Sequence, residues 1–306
     1  MWGDDKSLIR VPRLRCDRCG RDAIVFQRYS GHHLCGDHFQ RDLVARAKRT
    51  IRARGWIQAG DRIAVALSGG RSSVSLLHFL TAHFGMRPDL SLVAISVDEG
   101  TGSGRNMAWI ERIAGERGIG WAGTSLAEEF GGTPDPGNGH IPGSCRDILR
   151  DYALTSLAKR VGATRLAVGT NLDDVARSVL LAVLRGEPER LLGGQRPGAG
   201  GIPRIRPFLR IPAQEVALYS RLNLPDHGQA PRPEAADPLV NEVRRILDEY
   251  TDRHPSTMFS LVNLGEALSG MSVPGSEEPR SCDGSREQCP ATCPERRIRE
   301  RVKGHG

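Results

Sequence analysis

The chain has 306 residues, 39% of them apolar and 26% charged, a balance that supports a folded core and excludes wholesale disorder. Its longest aliphatic run, Val179–Leu184, falls far short of the roughly 18 residues of a membrane span, and Met1–Lys6 has no signal-peptide core; a cytoplasmic protein without membrane partners is expected. The net charge of +7 is local, because residues 1–60 hold 13 Lys and Arg against 6 Asp while the remainder is balanced.

In chain order, residues 1–40 carry Cys16-x2-Cys19-x15-Cys35-x2-His38. Two close pairs at this spacing predict a closed tetrahedral Zn²⁺ site, and hence a small structural zinc ribbon. His32 and His33 sit too close before Cys35 for the usual pairing. Residues 41–60 read as a basic linker helix: Gln40–Arg54 is amphipathic, with Leu43, Ala47, Thr50 and Ile51 on one face.

Residues 61–225 alternate apolar strands with helical stretches. Strands are predicted at Arg62–Leu67, Leu92–Asp98, Trp121–Leu126 and Leu166–Gly169, and helices at Val74–Phe84, Met107–Arg117, Cys145–Val161 and Asp173–Arg185. This alternation predicts an α/β fold with a parallel, doubly wound sheet covered on both faces. Gly/Pro-rich loops interrupt it at Gly131–Gly143 and Gly193–Pro203. Helices follow at Ala213–Leu222 and Ala236–Asp252, the latter in a helical extension over 226–269. Residues 270–306 are a linker and tail, in which Cys282, Cys289 and Cys293 form a second metal-ligand set that lacks a fourth member unless His305 joins it.

The first strand runs into Ser68-Gly69-Gly70-Arg71-Ser72-Ser73 and then a helix. Such a turn can ring an anion with backbone N–H groups at a helix N-terminus, at the sheet end where α/β proteins bind ligands. It lacks the Gly-Lys-Ser/Thr ending of a Walker loop. Acidic segments close two other strands: Asp98-Glu99-Gly100 and Gly169-Thr170-Asn171-Leu172-Asp173-Asp174. Acidic residues so placed can hold Mg²⁺ or a ribose, and any one of them can equally be a capped turn.

Together with Arg204-Ile205-Arg206-Pro207, these motifs resemble the PP-loop ATPases that thiolate tRNA, above all the archaeal and thermophile-type tRNA 2-thiouridine synthetases and the cytoplasmic wobble-uridine thiolases. Leu180–Gly186, Ile211–Tyr219 and Pro255–Ser260 extend the likeness, which spans about residues 14–265. The resemblance implies ATP-dependent tRNA 2-thiolation: ATP adenylates a uridine C2 oxygen, and a sulfur species then displaces AMP. It assigns ATP to Ser68, Gly69, Gly70, Ser72, Ser73, Asp98, Gly169 and Asp173, and catalysis to Cys145 and Asp174, with Arg150 and Arg206 stabilising anions. ATP, Mg²⁺ and Zn²⁺ are the implied cofactors. The implied partners are tRNA, a sulfur-carrier protein and a paralogous or identical subunit, with Arg13, Arg15, Arg18, Arg21 and the Arg46–Arg54 helix facing RNA.

Two departures from the family pattern stand out. Ser72 occupies the position of an Asp, which removes a carboxylate but not the N–H cradle. Cys145 matches the second cysteine of a Cys-x2-Cys pair, Pro142 stands at the first, and His227-Gly228-Gln229-Ala230 lacks the third. A cluster takes three or four thiolates, so no iron–sulfur cluster is expected. Cys145 is left as a nucleophile or persulfide carrier, or as a small buried filler. These departures support an alternative, a non-catalytic tRNA- or nucleotide-binding paralogue that serves an active thiolase subunit. A third reading is a PP-loop enzyme that ligates or amidates.

Overall fold

The computed structural model describes residues 14–100, 107–130, 143–188, 191, 201–224 and 237–269. The chain divides into two compact units, Met1–Ala45 and Arg46–Gly306.

In the first unit, β1 (Val25–Gln27) and β2 (His32–Leu34) form an antiparallel hairpin with Val25 opposite Leu34. Gly31, at φ 72°, turns the chain between them. Helix α1 (Gly36–Ala53) starts in this unit, where Phe39 and Leu43 are buried.

The second unit is built on five parallel strands: β3 (Arg62–Ala66), β4 (Ser91–Asp98), β5 (Gly120–Ser125), β6 (Arg165–Ala167) and β7 (Arg204–Ile205), in the order β5-β4-β3-β6-β7. Ile63 pairs with Leu92 on one side and Arg165 on the other. The central strand is buried on both faces, which is why Ile63, Ala64 and Val65 read as one apolar run. Its helices are α2 (Arg71–Phe84), α3 (Met107–Gly115), α4 (Leu126–Phe130), α5 (Gly143–Arg160), α6 (Leu172–Arg185), α7 (Ala213–Asn223), α8 (Pro238–Arg253) and α9 (Thr257–Ser269).

Ala64, Val93, Ile95 and Leu166 pack with Leu157 and Ala158 of α5. Helix α2 buries Val74, Leu76, Leu77, Phe79 and Leu80, and the Phe79 ring meets Phe208 edge-on at 5.6 Å. A further cluster joins α6, α8 and α9 through Leu172, Ala176, Val243, Leu247, Met258 and Val262. The doubly wound parallel sheet expected from the alternation is therefore present.

Some elements differ from expectation. The strand predicted through Leu126 stops at Ser125, because Ser125 and Glu128 cap the next helix reciprocally, at 3.1 and 3.0 Å. Strand β7 and helices α4 and α9 were not among the predicted elements. Because β4 and β5 lie on one side of β3, and β6 and β7 on the other, the strand order reverses between β3 and β6. A crevice at such a reversal is where open α/β sheets take ligands.

Candidate functional site

The turn that leaves β3 is held by its own hydroxyls. Gly69 has φ 72°, a conformation that suits glycine. The Ser73 hydroxyl donates to the Gly70 carbonyl at 2.8 Å and accepts the Ser68 N–H at 3.2 Å. The Gly70 N–H donates to Ser68 Oγ at 3.4 Å. Gly70 caps α2 without any side-chain hydrogen bond. Ser73 is buried and fastens the loop, whereas Ser72 is only partly covered. Behind the loop, Ser96 Oγ donates to the Leu67 carbonyl at 2.6 Å and accepts Trp121 Nε1 at 3.3 Å.

The segment after β6 reaches the same crevice. A Cβ at Gly169 would stand 2.9 Å from Ser72 backbone atoms and from the Ser73 nitrogen. Asn171 Nδ2 donates to Ser72 Oγ at 3.5 Å. Asn171 also caps α6 in a reciprocal box with Asp174, at 3.1 and 3.2 Å. Asp174 further faces Arg177 at 3.4 Å. Asp173 accepts the Ala213 N–H at 2.7 Å and so caps α7. Burial pushes the Asp173 carboxyl above its ordinary range, and Asp174 adds to the shift. Both acidic side chains thus hold helix termini, Asp174 that of α6 and Asp173 that of α7. The sequence signal for the role of Asn171 is Asn-x-x-Asp before an apolar run, a capping signature.

Asp98 ends β4 opposite Ser125 and accepts the Gly100 N–H at 2.9 Å. Arg150 bridges Glu99 at 3.2 Å and Asp147 at 2.7 Å. Burial alone would lower the Arg150 pKa, and these carboxylates raise it instead. Burial and the neighbouring Arg204 lower that of Arg206. Cys145 lies on the backbone of α5, but its side chain is outside the described residues, as are Arg13, Cys282, Cys289, Cys293 and His305.

In the first unit, Cys16, Cys19, Cys35 and His38 bring their ligand atoms within 4.8 Å of one another. Cys19 Sγ and Cys35 Sγ are 3.7 Å apart, and His38 Nδ1 lies 3.5 and 3.4 Å from the Cys16 and Cys35 sulfurs. An ion with metal–sulfur bonds of about 2.3 Å has tetrahedral edges of about 3.8 Å, so the four atoms are spaced for one ion. A hydrogen bond from Arg21 brings the Cys19 thiol down to about 7.

Residues 39–227 match the PP-loop domain, and residues 15–40 match the N-terminal LIM domain of 2-thiouridine synthetase TtuA. The chain is 32% identical to the tRNA 2-thiolation protein NcsA of Haloferax volcanii, over 85% of this chain and 88% of that protein. It is 31% identical to cytoplasmic tRNA 2-thiolation protein 1 of Bos taurus, over 89% of this chain and 83% of the relative. Among solved structures it resembles the U34-tRNA thiolase NcsA of Methanococcus maripaludis with its 4Fe–4S cluster. That likeness has a TM-score of 0.77 and 26% identity, and covers 85% of this chain and 88% of that one.

This last finding corrects two expectations, that the metal is zinc and that an iron–sulfur cluster has no place. Thiolate-rich donor sets suit both zinc and iron–sulfur centres, so cysteine spacing marks a metal group without naming its metal. The described cysteines are Cys16, Cys19 and Cys35, and with His38 they stand at single-ion spacing.

Proposed function

Because the chain belongs to the PP-loop family of tRNA 2-thiolation proteins, we propose that it uses ATP to activate a uridine of tRNA and replaces the C2 oxygen with sulfur. The observation that carries this reading is the turn from Ser68 to Ser73 at the strand-order reversal, with Gly169 pressed against it.

In this reading the ATP phosphates lie against Gly69 and Gly70 and meet the N–H groups of Gly69, Arg71 and Ser72, with Ser68 and Ser72 hydroxyls beside them. Backbone donors held before the nucleotide arrives need no reorganisation as charge develops. Ser73 and Gly169 set the shape of the cradle. Asn171 fixes the Ser72 hydroxyl, and Asp98 borders the nucleotide from β4. The uridine O2 attacks the α-phosphorus and pyrophosphate leaves. The sulfur of a carrier-protein thiocarboxylate then adds at C2, AMP departs with the former O2, and water cleaves the sulfur–acyl bond to leave the 2-thiouridine and the carrier's carboxylate. Asp174 and Cys145 are the side chains assigned to orienting the substrate and carrying the sulfur, and Arg150 and Arg206 to the anions. Residues 61–225 carry this chemistry and the metal ribbon of 1–40 precedes it. The setting is cytoplasmic, in keeping with the name of the bovine relative. Among the described residues no helix is long and apolar enough to cross a membrane.

One observation favours a second reading. Ser72 brings no charge to the loop, and the Asp173 and Asp174 carboxylates are engaged in helix caps. A nucleotide- and tRNA-binding subunit supporting an active partner would have these features.

Equilibrium dialysis with ATP, followed by pyrophosphate measurement on adding unfractionated tRNA, tests both readings. Retention of ATP with tRNA-dependent pyrophosphate release is expected. ATP retained without pyrophosphate favours the supporting subunit, and no retention at millimolar ATP contradicts both.

A further inference from the structure

The cations in the second half of α1 divide by direction. Arg46 turns inward, where its guanidinium holds Glu215 of α7, a side chain 2% exposed, and reaches the Arg210 carbonyl at 3.5 Å. Arg54, just past the helix, turns to Glu266 of α9 and lies over Trp56. Ala47, Thr50 and Ile51 are buried between these two. Lys48, Arg49 and Arg52 fall on the other side of the helix at 100° per residue. Arg49 and Arg52 are exposed and Lys48 is half-buried. Among the described residues none of the three has a carboxylate partner.

The other basic side chains expected to face RNA are differently placed. Arg15 pairs with Asp22 at 3.4 Å, Arg18 with Asp42 at 3.9 Å and Arg21 with Asp37 at 2.8 Å. Among these described cations, the ones without a carboxylate partner lie on the outer face of α1.

We propose that Lys48, Arg49 and Arg52 form a docking strip for the phosphodiester backbone of tRNA. The inference rests on the proposed function, from which it takes the class of partner. A guanidinium fork pairs with two phosphate oxygens at once, and a row of such groups over little more than one turn can engage successive phosphates. Contacts of this kind fix position without reading sequence and release counterions from the RNA. The inward ion pairs of Arg46 and Arg54 seat the helix on α7 and α9, so the strip is borne by a fixed support.

The competing explanation is a solvated helix face, with Arg52 complementing the helix C-terminal dipole. Binding of unfractionated tRNA as a function of salt separates the two. The triple variant Lys48→Gln/Arg49→Gln/Arg52→Gln is compared with wild type and with Arg62→Gln/Arg221→Gln/Arg253→Gln, which removes the same charge from exposed positions elsewhere. The strip variant is expected to lose about tenfold or more in tRNA affinity near 0.1 M salt. Its slope of log affinity against log salt should shrink by about 2–3, while the control changes little and ATP retention is the same in all three proteins. Equal affinity and slope for strip variant and wild type overturn the strip, as does an equal loss in the control. A loss of stability in the strip variant with tRNA affinity unchanged assigns the cations to the helix dipole and overturns it as well. Failure of the wild type to bind tRNA at any salt overturns the proposed function itself, a result distinct from the others.

Discussion

Gly169 lies so close to the backbone of Ser72 that a Cβ there would stand 2.9 Å from its carbonyl carbon and oxygen. The obstructing atoms are main chain and cannot swing aside as a long side chain would. The loops after β3 and β6 meet at the strand-order reversal only because position 169 carries no side chain. Gly169→Ala is therefore expected to displace the Ser68–Ser73 turn, lowering ATP retention in dialysis at least tenfold. Overpacking should cost about 1–3 kcal/mol in urea denaturation. Unchanged ATP retention would separate this contact from nucleotide binding.

The ion pair between Arg46 and Glu215 is nearly dry, with the two side chains 16% and 2% exposed. Removing one partner leaves a charge where water cannot reach it, whereas replacing both does not. Glu215→Leu is expected to destabilise the protein by about 3 kcal/mol, and Arg46→Met/Glu215→Leu to recover most of that. Chemical denaturation of the two variants measures the difference. A double variant no better than the single would show that the pair is not the source of the loss.

Asp173 carries a pH dependence whose sign follows from its burial. Its carboxyl is held above the ordinary 3.8, chiefly by desolvation, with the Ala213 N–H acting the other way. A carboxyl raised on folding contributes stability that is present below the unfolded value and lost as pH rises through the folded one. Asp173→Asn keeps an oxygen for the Ala213 N–H and removes the buried charge. It is expected to match or exceed wild-type stability at pH 7 and to flatten the decline from pH 4 upward. Denaturation midpoints across that range test it. A variant clearly weaker at pH 7 would mean that the cap needs the charge.

The Cys16, Cys19, Cys35 and His38 group predicts bound metal whatever its identity. Elemental analysis of purified protein should show a content that falls by one equivalent in Cys35→Ser. The hairpin of β1 and β2 should then become protease-sensitive, because the ligands hold a segment with little core of its own. Equal metal in variant and wild type would place the ion elsewhere.

The sheet was legible where strands are buried on both faces. Ile63–Ala66 and Leu92–Ile95 read as unbroken apolar runs, and the glycine turn between β3 and α2 marks its own position. Strand β7 was not legible, since two residues, Arg204 and Ile205, form no periodic signal and owe their strand state to pairing with β6. The three-residue strands of the hairpin were hidden for the same reason. Helix α9 shows in the sequence only through the motif Pro255–Ser260, and Gly265 weakens its helical pattern. In the fold that glycine packs against Val179, whose Cγ2 would lie 2.6 Å from a Cβ at position 265. At the site, Asp173 and Asp174 looked like ligands for a nucleotide or metal. That the same carboxylates also cap helices, through Asn171 and Ala213, depends on tertiary contacts that the short motif does not carry. The inward turn of Ser73 and the outward turn of Lys48, Arg49 and Arg52 likewise depend on tertiary neighbours.

The central claim is that the Ser68–Ser73 turn activates a tRNA uridine with ATP for exchange of oxygen by sulfur. Its most direct test is nucleoside mass spectrometry of unfractionated tRNA after incubation with the protein, ATP and inorganic sulfide. 2-Thiouridine is expected to appear only when ATP is present and to fall sharply in Gly169→Ala. No 2-thiouridine with ATP and sulfide supplied, from protein shown to retain both ATP and tRNA, would contradict it.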